Sequence, residues 1–313
     1  MAVIGKSDLD VFPLGLGGNT FGWTSDEETS FAVLDGFVAG GGDLIDTADS
    51  YSAWVPGHAG GESETIIGAW TKARGNRDSV VIATKVDRHP QFRGLSAKNV
   101  AAAADASLGR LQTDYIDLYY VHYDDPDIPV EEAAGAFRAL QVAGKIRHVG
   151  LSNYTAPRLR EWISVAEAER WPAPIALQPH YNLVVREPYE SDLAPAVAEF
   201  GLGVTPYYSL ASGFLAGKYR SAADHAGAAR QPGAARYLTP GGVAVLAAMD
   251  EIAAERGVEL ATIALGWLLT RPGVVAPLAS ARTVDQLGPL LASVTLELTA
   301  AELNALDRAS AAL

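Results

Sequence analysis

The sequence predicts an α/β fold, a single (β/α)8 barrel with an N-terminal β-hairpin and an extra C-terminal helix. Short apolar runs alternate with helix-type segments at a regular spacing along most of the chain. The length of 313 residues is sufficient for one such barrel. Several of the apolar runs end on an ionisable side chain, as expected where parallel strands bring functional groups to one face. We therefore expect residues 1–313 to form one barrel domain.

The strands are expected where the apolar runs occur. Ser7 to Gly18, read as SDLDVFPLGLGG, is typical of a small hairpin that leads into a first barrel strand, because a proline and glycines interrupt its apolar residues. A glycine cluster at 40–42 should end the preceding helix, so Asp43 to Asp46 is predicted to be a brief buried strand. Similar runs predict further strands at Val80–Lys85, Ile116–Val121, His148–Ser152, Ile175–Gln178, Val204–Tyr207 and Val274–Pro277.

Helices are expected between the strands, where apolar positions recur at helical spacing behind a polar start. The pattern occurs at Asp26–Ala39, Glu62–Lys72, Ser96–Leu111, Pro129–Val142, Ala156–Ala168, Asp192–Phe200, Val243–Glu255, Leu260–Leu269, Thr283–Ala292 and Ala300–Ala311. Tyr208–Gly242, rich in Ala, Gly and Arg, is predicted to be a long surface loop rather than a linker between domains. An open doubly wound sheet would show the same alternation. Its glycine fingerprint is incomplete, since Gly15, Gly17 and Thr20 give GxGxxT, and the closed barrel is favoured.

Composition limits the possible partners. A formal charge of −13 disfavours nucleic acid or an anionic membrane surface as the main partner. The absence of cysteine excludes disulfides, thiolate catalysis and cysteine metal ligands, and it suits a cytoplasmic location. The first residues, MAVIGKSDLD, lack the apolar core of a secretory signal. No apolar run has the roughly 18 residues of a membrane helix, so we expect no membrane association.

Four side chains should converge at the carboxyl ends of the strands. Asp46, Lys85 and His122 each stand where an apolar run gives way to a loop, and Tyr51 follows Asp46 in the sequence LIDTADSY. A free phenol, with a pKa of about 10, is a weak acid at neutral pH, and a neighbouring ammonium would lower that pKa. Asp46 would keep Lys85 charged, and a neutral His122 could donate to a carbonyl oxygen. Together the four groups could polarise and protonate a carbonyl if a hydride donor lies beside it.

Each of these residues also has a simpler interpretation. Each side chain taken singly could be a turn cap, a solvated strand-end charge, a core histidine or a packed loop tyrosine; only their joint position at strand ends favours a site. A metal-dependent barrel hydrolase is disfavoured because the six histidines form no HxH or HExxH pair, and we expect no metal ion. A serine hydrolase is disfavoured because GLSNY lacks the second glycine of GxSxG.

The sequence closely resembles the aldo-keto reductases over nearly its whole length. The motifs DTADSY (46–51), ATK ending on Lys85, VH ending on His122, GLSNY (150–154) and QPHYN (178–182) occur in the family's order. The resemblance implies a (β/α)8 barrel that reduces carbonyl compounds, usually with NADPH. It also implies that Asp46, Tyr51, Lys85 and His122 form the catalytic tetrad, with Tyr51 as the proton donor.

The resemblance also implies a cofactor site. Ser152, Asn153 and Gln178 match the residues that hold the nicotinamide carboxamide, Tyr207 matches the aromatic residue that stacks on its ring, and Gly18 and Asn19 approach its ribose. Leu210, Ser212, Gly213 and Lys218 should line the pyrophosphate, although Tyr208 stands where the family usually has serine. Ser280, Arg282 and Gln286 match the adenosine-phosphate end, where Arg282 favours NADPH over NADH because arginine binds phosphate bidentately. Pro289 and Leu290 replace an acid and an asparagine that commonly hold the adenine. The resemblance implies that Asp46 also belongs to this cofactor site.

The sequence gives less information about the substrate than about the cofactor. Trp23, Trp54 and Tyr123 lie on loops after predicted strands and could wall an apolar pocket for a small-molecule carbonyl substrate, although simple loop packing would explain them equally well. Some members of the family are cofactor-binding subunits of channels, so a redox-sensing role with little turnover is the alternative. An oligomer is possible.

Overall fold

A ring of eight parallel strands with helices around it forms the fold. The computed structural model describes residues 1–221, 231–311 and 313. The predicted (β/α)8 barrel is confirmed. Its strands are β3 (Gly15–Gly17), β4 (Leu44–Asp46), β5 (Val81–Val86), β8 (Ile116–Val121), β9 (Ile146–Ser152), β10 (Ala176–Gln178), β11 (Gly203–Val204) and β12 (Leu278–Ala279).

Register and closure follow from backbone hydrogen bonds. The strands pair in the order β11, β10, β9, β8, β5, β4, β3, β12. Gly17 is opposite Asp46, and Lys85 is opposite Tyr120. Between the two end strands, the Val204 amide donates to the Gly273 carbonyl at 2.8 Å and the Val275 amide donates to the Val204 carbonyl at 2.9 Å. These bonds close the ring.

Two apolar layers result from the two-residue period of the strands. Leu44, Ala83, Leu118 and Ala176 belong to the core inside the barrel. Their chain neighbours, such as Ile45 and the other outward-facing residues, pack between strands and helices. Asp46 follows Leu44 by two positions and Lys85 follows Ala83 by two, so Asp46 and Lys85 also face inward. Polar side chains therefore stand above the apolar interior at the carboxyl end of the barrel.

A hairpin closes the other end of the barrel. Strands β1 (Ala2–Val3) and β2 (Asp10–Val11) pair antiparallel, and Ile4, Leu9 and Val11 belong to the same core as the barrel interior. A Cβ atom on Gly5, whose φ is +55°, would lie 2.2 Å from the Ile175 carbonyl oxygen. Only glycine allows so close an approach in this conformation.

The helices begin and end with recognisable caps. Side chains of Asp26, Ser96, Thr155, Thr239 and Thr299 accept from backbone amides at helix N-termini. The helices are α1 (Glu27–Ala39), α2 (Glu62–Arg74), α3 (Ala97–Leu111), α4 (Val130–Val142), α5 (Ala156–Glu169), α6 (Ala194–Phe200), α7 (Gln231–Ala235), α8 (Pro240–Arg256), α9 (Leu260–Leu269), α10 (Leu287–Ala292) and α11 (Ala300–Ser310). The last of these is the predicted extra C-terminal helix.

Several predicted boundaries are wrong. The N-terminal hairpin begins at Ala2 rather than Ser7, because β2 pairs with a strand that precedes the turn. The strand predicted at Val274–Pro277 lies at Leu278–Ala279, where it pairs with β3. An additional hairpin, β6 (Arg88–His89) with β7 (Phe92–Arg93), was not predicted.

The predicted loop at 208–242 is wrong at both of its described ends. A 3-10 segment occupies Ala211–Ala216, α7 follows at 231–235, and α8 already begins at Pro240. Residues 222–230 of that loop lie outside the described residues. The composition suggested a loop because alanine and glycine carry little periodic apolar signal.

Within residues 1–221 and 231–313, leaving out 312, no helix is long and apolar enough to span a bilayer.

Candidate active site

A cavity of about 830 Å³ opens at the carboxyl end of the barrel. It contains most of the side chains that the sequence singles out. They are Asn19, Trp23, Asp46, Tyr51, Trp54, His122, Tyr123, Ser152, Asn153, Gln178, Tyr207, Leu210, Ser212, Gly213, Lys218, Ser280, Arg282 and Gln286. Lys85 lies behind this wall and touches it through Asp46 and Tyr51, whereas Gly18 does not line the cavity.

Lys85 forms the centre of a polar network. Its Nζ donates to Asp46 Oδ2 at 2.5 Å, to the Thr47 carbonyl at 2.7 Å and to the Tyr51 hydroxyl at 3.2 Å. Asp46 Oδ1 in turn accepts from Gln178 Nε2 at 2.9 Å. Lysine has three donors, and all three meet an acceptor here. The network fixes the ammonium beside the phenol.

Burial and the neighbouring negative charge have opposite effects on the pKa of Lys85. Lys85 is 1% exposed, and burial lowers its pKa, while the charge of Asp46 and its hydrogen bond oppose that shift. An ion pair buried this deeply is retained only with good geometry, which the short contact supplies. The pair therefore keeps a cation directly behind Tyr51.

His122 lies on the cavity wall opposite this network. Its ring centroid is 6.3 Å from that of Tyr51. Burial lowers the pKa of His122 well below its usual range, and the charges of Lys85 and Arg88 lower it further. The imidazole is therefore neutral near pH 7. Its Nδ1 is buried and makes no hydrogen bond within the described part of the chain.

Side-chain amides line the next part of the cavity. Asn153 Nδ2 donates to the His122 carbonyl at 2.9 Å, and Asn153 Oδ1 accepts from the Tyr207 hydroxyl at 2.7 Å. Ser152 Oγ donates to the Gln178 carbonyl at 2.9 Å. The Tyr207 ring stacks on His180, with centroids 5.3 Å apart and an interplanar angle of 21°. These contacts hold a flat aromatic ring and several amide groups at one wall.

Backbone strain marks the loop after Tyr207. Tyr208, Ala211 and Ser212 have φ values of 53°, 49° and 58°, and Gly213 follows with 96°. Left-handed conformations are costly for residues other than glycine and persist where the surroundings impose them. Such strain is frequent at ligand clamps, and Ser212 and Gly213 both line the cavity.

The far end of the cavity lies beyond β12. Ser280 Oγ donates to Asn19 Oδ1 at 2.8 Å, and the Arg282 amide donates to Gln286 Oε1 at 3.0 Å. The Arg282 guanidinium is exposed and makes no side-chain hydrogen bond within the described residues. Pro289 and Leu290 also line this end, so its floor is apolar where the family commonly has polar groups.

Aromatic rings surround the mouth of the cavity. Trp23 and Trp54 are in edge-to-face contact at 5.5 Å, and Trp54 contacts Tyr51 at 6.1 Å. Tyr123 lies beside His122 at 5.3 Å. The three predicted wall residues thus meet around Tyr51. Trp54 is 51% exposed, so it stands at the entrance.

Two charged residues that the sequence analysis did not single out, Arg88 and Glu259, also line the cavity. Arg88 belongs to the unpredicted β6–β7 hairpin, and Glu259 caps α9 at the opposite end. Neither carries a local signal, because each reaches the cavity only through the tertiary placement of its element. Gly18 makes two hydrogen bonds beside the cavity: its amide donates to the Asp46 carbonyl at 2.8 Å, and its own carbonyl accepts from Ser63 Oγ.

A second cluster of buried polar side chains lies behind Lys85, between the strands and the helices. Both carboxylate oxygens of Asp49 are buried without a hydrogen-bond partner in the described chain, as is the Tyr119 hydroxyl. Glu64 accepts from Thr84 at 2.5 Å and from Arg110 at 2.7 Å. Burial raises the pKa of Asp49 well above its usual range, and the charge of Glu64 adds to that shift.

The arrangement can perform acid catalysis next to a bound planar group. It combines a phenol in contact with a buried ammonium, a neutral imidazole and a long polar cleft that ends on a cationic side chain. Metal ligation has no comparable basis, since no group of three His, Asp or Glu side chains suited to a metal ion occurs among the described residues.

Comparisons with known proteins find similar sequences that cover most of the chain. The model of the "Aldo/keto reductase family" matches residues 13–311. The chain is 34% identical to an uncharacterized oxidoreductase of Bacillus subtilis, YrpG, over 94% of this chain and 91% of that protein. It is 32% identical to norsolorinic acid reductase B of Aspergillus parasiticus, over 97% and 82%. It is 33% identical to a probable voltage-gated potassium channel subunit beta of Oryza sativa, over 91% and 88%.

Proposed function

The chain belongs to the aldo/keto reductase family, whose members are oxidoreductases, and from that premise we propose that it is an NADPH-dependent carbonyl reductase. It reduces an aldehyde or ketone to an alcohol, with Tyr51 as proton donor. The observation that carries the proposal is the contact of the Tyr51 hydroxyl with Lys85 Nζ at 3.2 Å, on the wall of a cavity of about 830 Å³ whose lining also includes Arg282.

The lining residues fit a nicotinamide dinucleotide phosphate. Tyr207 offers a flat ring and Asn153 and Gln178 offer amide groups for the carboxamide. The strained turn at Ser212 and Gly213, together with Lys218, suits a pyrophosphate. Ser280, Arg282 and Gln286 offer donors and a cation for the adenosine phosphate. When bound, the reduced nicotinamide supplies the hydride that the carbonyl carbon accepts.

Tyr51 delivers the proton in this proposal. The phenol hydroxyl gives its proton to the carbonyl oxygen as negative charge develops there. The ammonium of Lys85 stabilises the phenolate that remains, and Asp46 holds that ammonium in place. Proton transfer by a positioned side chain contributes about 10²- to 10⁴-fold to a rate.

His122 orients the carbonyl. Its neutral ring has one donor nitrogen, and it lies across the cavity from Tyr51. A carbonyl oxygen placed between the two rings can accept from both. The aromatic residues Trp23, Trp54 and Tyr123 wall the remainder of the substrate.

Turnover tests the proposal directly. Purified protein with NADPH and a panel of aldehydes and ketones is followed at the cofactor absorbance. We expect oxidation of NADPH that depends on the carbonyl compound. Binding of NADPH without reduction of any member of the panel would overturn the proposal.

Replacing the proton donor isolates its role. We expect Tyr51→Phe to bind NADPH as before and to lose about 10²- to 10⁴-fold in kcat, because Tyr51 supplies the phenol that contacts the lysine. Tyr115→Phe removes a phenol outside the cavity and is the matched control. Wild-type turnover by Tyr51→Phe would remove Tyr51 from the mechanism.

A second candidate function rests on one comparison. The similarity to a plant protein named as a probable potassium channel subunit favours a cofactor-binding regulatory subunit with little turnover. The intact set of Asp46, Tyr51, Lys85 and His122 favours the enzyme. Tight binding of NADPH with no reduction across the panel is the result expected of the regulatory subunit.

A further inference from the structure

Arg88 projects into the cavity from the β6–β7 hairpin. Its guanidinium carbon lies 3.8 Å from the centre of the Tyr123 ring, and its Nε lies 3.6 Å from Asp87 Oδ2. The two terminal amino groups make no hydrogen bond within the described residues. Arginine carries five donors in a planar fork that matches a carboxylate. Two of its amino groups are therefore available to a ligand.

The guanidinium lies at the reaction end of the cavity. Tyr123 contacts His122 at 5.3 Å between ring centroids, and Arg88 covers Tyr123. The cation is thus separated from the imidazole by the breadth of one aromatic ring. His122 and Tyr51 are the groups that hold the carbonyl in the proposed mechanism.

Asp87 is paired with Arg88 through Nε and neutralises part of its charge, whereas Asp124 and Asp46 have cationic partners of their own. Asp124 is paired with Arg158 at 2.7 and 2.8 Å. Asp46 is paired with Lys85. Asp87 Oδ1 already accepts from the Gly94 amide at 2.8 Å, so this carboxylate is shared between two donors. An anion that enters the pocket meets Arg88 as its available partner.

The hairpin places two arginines opposite each other. Arg88 and Arg93 are paired across β6 and β7. Like charges in this position are unfavourable for a two-stranded ribbon. The Asp87 carboxylate beside Arg88 offsets part of this repulsion, and an anion bound by Arg88 would offset more of it.

We propose that Arg88 binds a carboxylate on the substrate, and that the protein reduces aromatic carbonyl compounds that carry such a group. The inference rests on the proposed function. The carbonyl lies between Tyr51 and His122, the ring packs among Trp23, Trp54 and Tyr123, and the carboxylate reaches the guanidinium. Arg88 is therefore a specificity-determining residue.

A charged substrate and a neutral substrate of similar shape test this proposal. Initial rates with NADPH are measured for 4-carboxybenzaldehyde and for its methyl ester, and the ratio of the two kcat/KM values is the readout. We expect the wild-type protein to favour the acid. Arg88→Gln should lower that ratio by about 10- to 100-fold, the effect of losing hydrogen bonds to a charged group.

Matched variants separate the contact from general charge. Arg93→Gln removes the same charge from the same hairpin but not from the cavity wall, so the ratio should stay within about twofold of the wild-type value. Arg88→Lys keeps the charge without the fork and should give an intermediate ratio. Because any shift of Tyr123 affects both substrates, it cancels in the ratio.

The outcomes are distinguishable. An unchanged ratio in Arg88→Gln, an equal fall in Arg93→Gln, or a wild-type preference for the ester overturns the assignment of Arg88. If the wild-type protein reduces neither compound nor any other carbonyl, the proposed reductase function fails. Quenching of tryptophan fluorescence by benzoate in the presence of NADP⁺ then decides the anion site. The benzoate Kd should rise at least tenfold in Arg88→Gln if that site exists, and an unchanged Kd overturns it.

Discussion

His122 shows how one buried atom constrains the pH behaviour of the site. Its Nδ1 has no partner in the described chain, and burial with the charges of Lys85 and Arg88 lowers its pKa well below 6.5. Protonation would bring a third positive charge into this corner. The neutral ring therefore persists through the physiological range.

We expect kcat/KM for a neutral aldehyde to show no limb that titrates near pH 6.5. A loss caused by protonation of His122 belongs well below that value, because the lowered pKa keeps the ring neutral until then. The measurement is a pH profile of the wild-type protein and of His122→Asn. An acid limb near 6.5 that disappears in His122→Asn would contradict this expectation.

Asp49 illustrates a buried acid that the proposed chemistry does not use. Both its carboxylate oxygens lack a partner in the described chain, and burial followed by the charge of Glu64 raises its pKa. The unfolded chain ionises this group near 3.8, whereas the folded protein retains the proton to higher pH. Asp49 therefore lowers the free energy of unfolding progressively as the pH rises above that value.

We expect Asp49→Asn to gain stability relative to the wild-type protein between pH 4 and pH 7, since the amide does not ionise. Urea unfolding at the two pH values measures the difference. Asp114→Asn, at an exposed position, is the control and should show no such trend. A stability difference that is the same at both pH values would mean that Asp49 does not titrate as described.

Much of the site follows from the sequence at this scale. Because the carboxyl ends of parallel barrel strands open on one face, a strand-end Asp46 and a strand-end Lys85 were expected to meet, and Lys85 Nζ lies 2.5 Å from Asp46 Oδ2. Asp49 and Arg88 were not singled out. Their roles depend on burial and on a hairpin that crosses the cavity mouth, which no local pattern reveals.

At the scale of elements, the segment after β12 brings the proposed phosphate-binding group into place. The Arg282 amide bonds to Gln286 in the 3-10 turn Val284–Gln286, and Ser25 Oγ donates to the Arg282 carbonyl at 3.1 Å. The backbone is thereby fixed at both polar groups while the guanidinium remains exposed. A fixed backbone with a free cation suits recognition of the phosphate that distinguishes NADPH from NADH.

We expect Arg282→Ala to raise the Kd of NADPH by about 10- to 100-fold and that of NADH by less than about threefold, because only NADPH has the additional phosphate. Fluorescence titration with each cofactor measures both constants. Arg308→Ala, on the exposed side of α11, is the control. Equal losses for both cofactors would show that Arg282 does not contact that phosphate.

The elements themselves were predictable to different degrees. Helices α1 and α4 each have two acids in the first turn, a signal of a helix start, and they were placed within two residues of their observed ends. The N-terminal hairpin was displaced because its first strand, Ala2–Val3, is only two residues long. The final strand was displaced because an apolar run, VVAPLA, contains no signal for which part pairs with β3.

At the scale of the whole molecule, one cavity joins groups from both ends of the chain. Asn19 near the N-terminus bonds to Ser280 near the C-terminus at 2.8 Å. A ligand along this cavity would contact loops that follow strands throughout the barrel. Binding should therefore stabilise the folded state as a unit.

We expect NADP⁺ at about 100 times its Kd to stabilise the folded state by roughly 2.7 kcal/mol and to raise the Tm by on the order of 5 °C. Differential scanning fluorimetry measures the shift. Tyr51→Phe should show the wild-type shift, and Arg282→Ala should show a smaller one at the same concentration. The absence of any shift in the wild-type protein would argue against the cofactor site.

The N-terminal hairpin has an evolutionary consequence. It precedes the stretch matched by the family model, yet Ile4, Leu9 and Val11 are buried in the barrel interior at the end opposite the cavity. The hairpin thus stabilises the closed end of the barrel, whereas the loops at the open end line the cavity. Substitutions in those loops, including the Arg88 hairpin, can therefore change the substrate specificity during evolution without disturbing the core at the closed end of the barrel.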